Sequence, residues 1–284
     1  MAPALVGLLV GLVVGLTSMG GGALLTPALI FLGVTPSMAI GSDVLIASVT
    51  KLFGSGAYVA RREVSWPLVW KLALGSVPGA LFGDQLLRLI PKTSIDLFVT
   101  YGLGFVLVLA GTLTLYRTWS RTPTPTGPMP STILLASLGL LTGFLVTVTS
   151  VGSGSLLMVA LVRFVPLPAR KLVGSDIVHA LILSSVATVL HAHSGRLDVH
   201  LALSVLVGSI PGVLIGARLA GVLPERSLRA AVAVILVFVG LVLFSRGSSA
   251  ARPHSNIAIV PRTNGVSMTP VPVKVSVLAT DLHP

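Results

Sequence analysis

Long apolar runs alternate with short polar interruptions over most of the chain. The runs cover about residues 3–33, 39–60, 66–90, 95–117, 131–162, 173–193, 199–222 and 227–245. A helix that crosses the hydrocarbon core of a bilayer needs about 20 apolar residues, so most of these runs can span. Residues 118–130, "TWSRTPTPTGPMP", are rich in Pro, Thr and Gly and read as a linker. Residues 246–284 hold no spanning run and read as a polar surface tail. The pattern predicts an all-α polytopic membrane protein. Its expected divisions are a first transmembrane repeat at 1–117, the linker at 118–130, a second transmembrane repeat at 131–245 and the tail at 246–284.

Composition agrees. The 284 residues are 54% hydrophobic and 10% charged, against about 25% charged in a soluble domain, and mean hydropathy is +0.99. The net charge of +11 comes from 19 Lys and Arg against 8 Asp and Glu. In a membrane protein this excess reads as basic loops on the cytoplasmic face rather than as a nucleic-acid surface. Cysteine is absent, so a disulfide framework, a thiolate metal site and a cysteine nucleophile are excluded. The N-terminus lacks a basic leader followed by a small-residue cleavage site, and we expect it to belong to the mature fold.

The two halves repeat each other. "SMGGG" at Ser18–Gly22 aligns with "SVGSG" at Ser150–Gly154, an offset of 132 (150 − 18). "GSD" at Gly41–Asp43 aligns with "GSD" at Gly174–Asp176, and "GSVPGALFG" at Gly75 with "GSIPGVLIG" at Gly208, both at an offset of 133 (174 − 41 and 208 − 75). Such duplications are common in secondary transporters, whose substrate sites lie at the repeat interface.

Charge placement bears on orientation. If each first segment folds back at its glycines, one face collects ten basic residues: Arg61, Arg62, Arg117, Arg121, Arg163, Arg170, Lys171, Arg218, Arg226 and Arg229. The other face then has three before the tail is added: Arg88, Lys92 and Arg196. If both first segments span, the separation weakens to eight against five. The positive-inside rule favours fold-back segments, inverted repeats and both termini outside.

The glycine runs admit two readings. Small residues let membrane helices approach closely, which suits Gly7, Gly11 and Gly15. Gly20, Gly21 and Gly22, with Gly152, Ser153 and Gly154 in the second copy, instead free consecutive backbone groups, which membrane depth tolerates only beside protein or a watery cavity. A half-helix that starts after such a break aims its free N–H groups at the cavity. We expect these six residues to line a substrate site.

The polar residues inside the apolar runs are the other candidates. Asp43 and Asp176 read either as helix caps or as proton or cation sites, because intramembrane carboxylates are functional candidates. Ser42 and Ser175 beside them read as caps or as substrate ligands. Lys51 sits mid-segment, too deep to snorkel, and reads as the partner of an acid on another helix or as an anion ligand. His179 reads as a buried imidazole bonded to a serine or as a second cavity donor. The expectation is that Lys51 and His179 face one central cavity with Thr50, Ser184 and Ser185 nearby. Pro78 and Pro211 predict kinks. Asp84 and Arg218, near the ends of the aligned segments, read as structural ion-pair residues. His191 and His193 lack a third ligand and read as interfacial rather than metal-binding.

An intramembrane serine protease using Ser153 and His179 would need a third orienting group. The first copy has Gly21 where Ser153 stands, so the shared feature is backbone freedom and no enzyme is expected. No phosphate-binding loop of the Gly-Lys-Ser/Thr type is present, so a gradient rather than ATP is the expected energy source and no cofactor is expected.

Two stretches together carry a family resemblance. "SMGGGALLTPAL…GSDVLIASVTKLFGSGAYVARREVSW" resembles the first repeat of the sulfite exporter TauE/SafE family, also called the toluene-sulfonate uptake permease family. "VGSDIVHALILSSVATVLHAHSGRLD…GSIPGVLIGARLA" resembles its second repeat, and the likeness covers about residues 4–245. It implies a secondary transporter of the bacterial inner membrane for sulfite, an organosulfonate or a related organic acid. The partners expected are a small anion, membrane lipid and a second copy of the chain, with no nucleic acid. A passive anion channel and a non-transporting sensor or assembly factor are the alternative classes.

Overall fold

The computed structural model describes residues 2–17, 22–119, 125, 127–219 and 225–250. The described residues form ten helices: α1 (Ala2–Thr17), α2 (Gly22–Phe31), α3 (Pro36–Ala60), α4 (Trp66–Leu89), α5 (Lys92–Trp119), α6 (Thr132–Thr149), α7 (Leu156–Phe164), α8 (Ala169–His193), α9 (Val199–Leu219) and α10 (Glu225–Ala250). Each half thus contributes five helices in the same order. Among the described residues six helical stretches are long and apolar enough to cross a membrane: Pro36–Ala60, Lys92–Trp119, Thr132–Thr149, Ala169–His193, Val199–Gly216 and Ser227–Ser245. Helix α4 has 24 residues, about 36 Å at 1.5 Å per residue, but carries Lys71, Asp84 and Arg88. The chain is a multi-pass membrane protein.

The break in the second half is visible. Helix α6 ends on Ser150, which takes the left-handed conformation at φ 60°. Gly152 at φ 149° and Gly154 at φ 82° follow, conformations that a side chain disfavours. Only then does the nine-residue α7 begin. In the first half α2 begins at Gly22, while Gly20 and Gly21 lie outside the described residues.

Glycine seams fix the running directions of the packed helices. Gly75 lies against Ala136 and Leu140, Gly79 against Leu140 and Gly83 against Phe144, so α4 and α6 run parallel. Gly208 lies against Ala4 and Leu8, and Gly216 against Leu12 and Leu16, so α1 and α9 also run parallel. Gly104 meets Gly240 while Gly111 meets Ala233, so α5 and α10 are antiparallel. Gly41 lies against Arg196 and Gly174 against Glu63, so α3 and α8 are antiparallel too. At these seams carbonyl groups sit where a side chain would stand, which is why small residues occupy them.

The buried core is carried by Leu103, Val106 and Leu107 of α5 against Val232 and Leu236 of α10, and by Leu25 and Leu29 of α2 against Ile46 and Val205. The outer faces keep large apolar side chains exposed, among them Phe53, Leu74, Phe82, Val207 and Phe238, as a lipid-facing surface requires. Trp66, Trp70 and Trp119 are exposed near the ends of α4 and α5 that adjoin Arg61, Arg62 and Arg117.

Asp43 and Asp176 do not cap helices. The backbone enters α3 at Pro36, with Thr35 as N-cap, and enters α8 after Pro168. Proline suits the entry to a helix because its fixed φ is already helical. Both aspartates therefore stand about two turns inside their helices, where no free first-turn N–H groups remain to be capped.

Candidate functional site

A cavity of about 460 Å³ lies between the two halves. Its inner wall is formed by Asp43, Ile46, Ala47, Thr50 and Lys51 of α3, facing Asp176, Ile177 and Ala180 of α8. Gly11 and Gly15 of α1, Leu25 of α2, Gly154 and Ser155 of the second break, Met158 of α7 and Ser209 of α9 also line it. The cavity continues past Gly54 and Tyr58 of α3 to Thr114, Arg117 and Thr118 of α5 and Arg229 of α10. Those residues adjoin the ends of the helices that carry most of the basic loops, so the mouth is basic.

Helical periodicity explains which residues point inward. At 3.6 residues per turn each residue advances about 100°. Asp43, Ala47, Thr50, Gly54 and Tyr58 fall on one stripe of α3, with Lys51 at its edge. Ser42 stands about 100° from Asp43 and leaves the stripe. Its hydroxyl meets the backbone O and N of Asp198, each at 3.3 Å. Ser175 does the same in the second half, accepting from Ser65 N at 2.8 Å and donating to Lys171 O at 2.6 Å. The two serines pin the α8–α9 and α3–α4 connections and do not line the cavity.

Lys51 and His179 do not share the cavity wall. The imidazole of His179 is 0% exposed and its Nε2 lies 2.9 Å from Ser76 Oγ on α4. It stands about 60° from Asp176 on the side away from Ile177 and Ala180, which turns it into the α4–α8 seam. Ser184 likewise bonds its own helix, at Ala180 O. Of the expected residues, the structure gathers Thr50, Lys51, Gly154, Asp43 and Asp176. Gly22 is buried beside the cavity, against Ser150. Gly152 and Ser153 lie in the break without lining the cavity.

The carboxylates are held asymmetrically. Asp43 Oδ2 accepts from Thr26 Oγ1 at 2.5 Å and from Ser150 Oγ at 2.8 Å, so α2 and the second break both hold it. Asp176 faces the backbone N–H of Gly154. Among the described residues, each carboxylate keeps one buried oxygen without a partner, Asp43 Oδ1 and Asp176 Oδ1, and Ser155 Oγ is also unpartnered. Lys51 interacts electrostatically with both aspartates and makes no ion pair within 4.0 Å among the described residues. Bare buried polar atoms cost free energy unless a ligand or water answers them. The cavity lining thus carries the ammonium group of Lys51 and the side chains of Thr50, Asp43, Asp176 and Ser155, with the bare oxygens of the last three themselves buried.

Away from the cavity, Asp84 is the centre of a buried charge cluster. It bonds Arg88 Nε at 2.8 Å, Ser194 Oγ at 3.0 Å and the guanidinium of Arg196. Arg196 Nε faces His191 Nδ1 at 3.4 Å, and His191 Nε2 lies 3.0 Å from Thr147 O. His191 is thus buried rather than interfacial, while His193 is exposed. Arg218 is exposed and makes no ion pair among the described residues. Sequence reasoning missed Thr26, Ser150 and Ser155 as partners of the site. It counted Arg117 and Arg229 only as loop charges. Their signal was positional: both stand within a turn or two of a helix end whose other residues face inward.

Comparison with known proteins agrees with this architecture. The model of the family described as Sulfite exporter TauE/SafE matches residues 3–243. "Probable membrane transporter protein YjnA" of Bacillus subtilis (strain 168) is 39% identical over 247 residues, covering 84% of this chain and 97% of the relative. "Probable membrane transporter protein YunE" of the same organism is 26% identical over 264 residues, covering 85% and 96%. A "Probable membrane transporter protein" of Xylella fastidiosa (strain Temecula1 / ATCC 700964) is 28% identical over 219 residues, covering 75% and 81%. No solved structure matches the chain significantly. A match over nearly all of the helical part, together with a multi-pass helical fold around an internal cavity, places the chain in the sulfite exporter TauE/SafE family of membrane transporters.

Proposed function

We propose that the protein is a secondary transporter that exports a small anion, such as sulfite, an organosulfonate or a related organic acid, across the bacterial inner membrane by alternating access. The observation that carries this reading is the single ammonium group of Lys51 in a cavity whose mouth is set with Arg117 and Arg229. Cationic side chains along a low-dielectric cleft concentrate anions, and Lys51 gives them a stopping point. The Gly154 break and the start of α7 line the same wall. Asp43 and Asp176 supply the carboxylates for a coupling proton.

The same reading treats the halves as inverted repeats. It draws support from the antiparallel running of α3 with its counterpart α8 and of α5 with its counterpart α10. Thr26 on α2 also reaches Asp43 on α3, which packs α2 against the cavity-lining helix. With the basic face inside, the cavity opens to the cytoplasm.

Flux in proteoliposomes tests the proposal. An alternating-access carrier saturates with anion concentration and shows counterflow of labelled anion against unlabelled anion. Linear flux without counterflow identifies a passive channel, and no flux for any tested anion removes the transport assignment to this class of cargo.

A further inference from the structure

We infer that the Asp84–Arg196 cluster is a lock that closes the end of the protein opposite the cavity mouth, and that it must break for Lys51 to reach that face. The inference rests on the alternating-access reading above and gives its two states unequal stability.

The first argument is position. The cavity runs from Asp43 and Asp176 toward Arg117 and Arg229. The cluster sits at the other ends of the same helices, where α4 and α8 finish and α3 begins. The backbone of Arg196 packs against Gly41 of α3 while its guanidinium reaches Asp84 of α4. His191 extends the network to Thr147 of α6. One set of contacts thus ties α3, α4, α6 and α8 together beneath the cavity floor.

The second argument is burial. Asp84 is 2% exposed and Arg196 9%. Pulling apart a buried ion pair leaves charges in a poor solvent, which is strongly unfavourable unless water enters at once. A joint of this kind has two discrete conditions, paired and dry or separated and wet.

The third argument is the asymmetry between the repeats. Gly174 packs against the backbone of Glu63 as Gly41 packs against that of Arg196, so the two ends share a backbone arrangement. The repeat offset of 133 pairs Arg196 with Glu63 and Asp84 with Ala217. At the mouth end the acid has therefore become alanine and the base has become an acid. Glu63 there has, among the described residues, only the exposed Arg170 at 3.8 Å as an ion-pair partner. The duplicated frame carries a buried ion pair only opposite the mouth among the described residues, its counterpart at the mouth being the exposed Glu63–Arg170 contact, so the closure opposite the mouth is the stronger one.

The absence of cysteine makes a direct test available. Thr50→Cys puts a single thiol on the cavity wall. Membrane vesicles of both orientations are treated with a charged, membrane-impermeant maleimide, and the labelling rate is read from each face. The parent Thr50→Cys protein labels from the basic face. Adding Asp84→Asn raises labelling from the opposite face about tenfold, since separation no longer strands a carboxylate. Adding Ser194→Ala, which removes one hydrogen bond and no charge, raises it about threefold; it decides the matter if Asp84→Asn does not insert. Opposite-face labelling that stays at the parent rate in every inserted variant overturns the lock and leaves the transport reading standing. A parent thiol that does not label from the basic face overturns the reading itself, and the lock with it.

Discussion

Ser150 Oγ donates to Asp43 Oδ2 at 2.8 Å, so the break of the second repeat holds the carboxylate of the first. The two residues are far apart in sequence, and the bond forms only because Gly22 lets the start of α2 approach the Ser150 backbone. Thr26 donates to the same oxygen. Asp43 is in this way a joint between repeats as well as a wall of the cavity.

Ser150→Ala removes one of the two donors to a buried carboxylate. A hydrogen bond to a charged group is worth about 2 kcal/mol. We expect that loss of stability in detergent-solubilised protein, measured by thermal denaturation. Thr26→Ala should cost a similar amount, and the double variant more than the sum, because the two hydroxyls share one acceptor and each partly makes up for loss of the other.

Lys51→Ala abolishes anion transport while leaving membrane insertion and the helical content intact, as flux in proteoliposomes and circular dichroism would show. Lys51 makes no ion pair within 4.0 Å among the described residues, so its removal breaks no salt bridge there. Unchanged transport kinetics would remove Lys51 from the site.

The seams give a contrast among glycines. Gly79→Val drives a side chain into the Leu140 carbonyl across α4–α6 and should cost about 3 kcal/mol or prevent folding. Gly212→Val does the same against Leu8 across α1–α9. Gly56→Ala on α3 meets nothing within 4 Å and should be neutral or stabilise by up to about 1 kcal/mol through helix propensity. Yield of monodisperse protein after size exclusion separates the cases.

Asp84→Ala strands the buried Arg196 and should destabilise the protein by about 3 kcal/mol. Arg218→Ala, at the neighbouring place in the second repeat, removes an exposed charge with no ion pair among the described residues and should leave the denaturation midpoint within about 0.5 kcal/mol of the parent.

These contrasts show what the sequence could and could not reveal. The helical segments were legible because apolar runs of bilayer length have few other uses, and the break at Ser150–Gly154 because consecutive glycines are costly in a helix. Lys51, Thr50 and Gly154, which line the cavity, stand out in the sequence because a polar or flexible residue mid-run needs a reason. Asp43 and Asp176 were open to reading as caps because "GSD" has cap chemistry, although Pro36 and Pro168 had already marked helix entries further upstream. His179 was grouped with Lys51 by its depth in the segment, and depth does not say which way a side chain points. The angle from Asp176 sends it toward Ser76. The Ser150–Asp43 bond and the Asp84–Arg196 cluster join residues more than 100 positions apart, and no local pattern encodes which helices become neighbours.

If Lys51 holds an anion in the cavity between the repeats, anion binding depends on its ammonium group. The most direct measurement is the thermal stability of the purified protein, and of Lys51→Ala, across a series of sulfite, sulfate, thiosulfate, methanesulfonate and small carboxylates. A ligand that binds the native state at 100 times its Kd stabilises it by about 2.7 kcal/mol. At least one of these anions is expected to stabilise the parent protein, and the same anion no longer stabilises Lys51→Ala. Equal stabilisation of both proteins, or of neither, would contradict it.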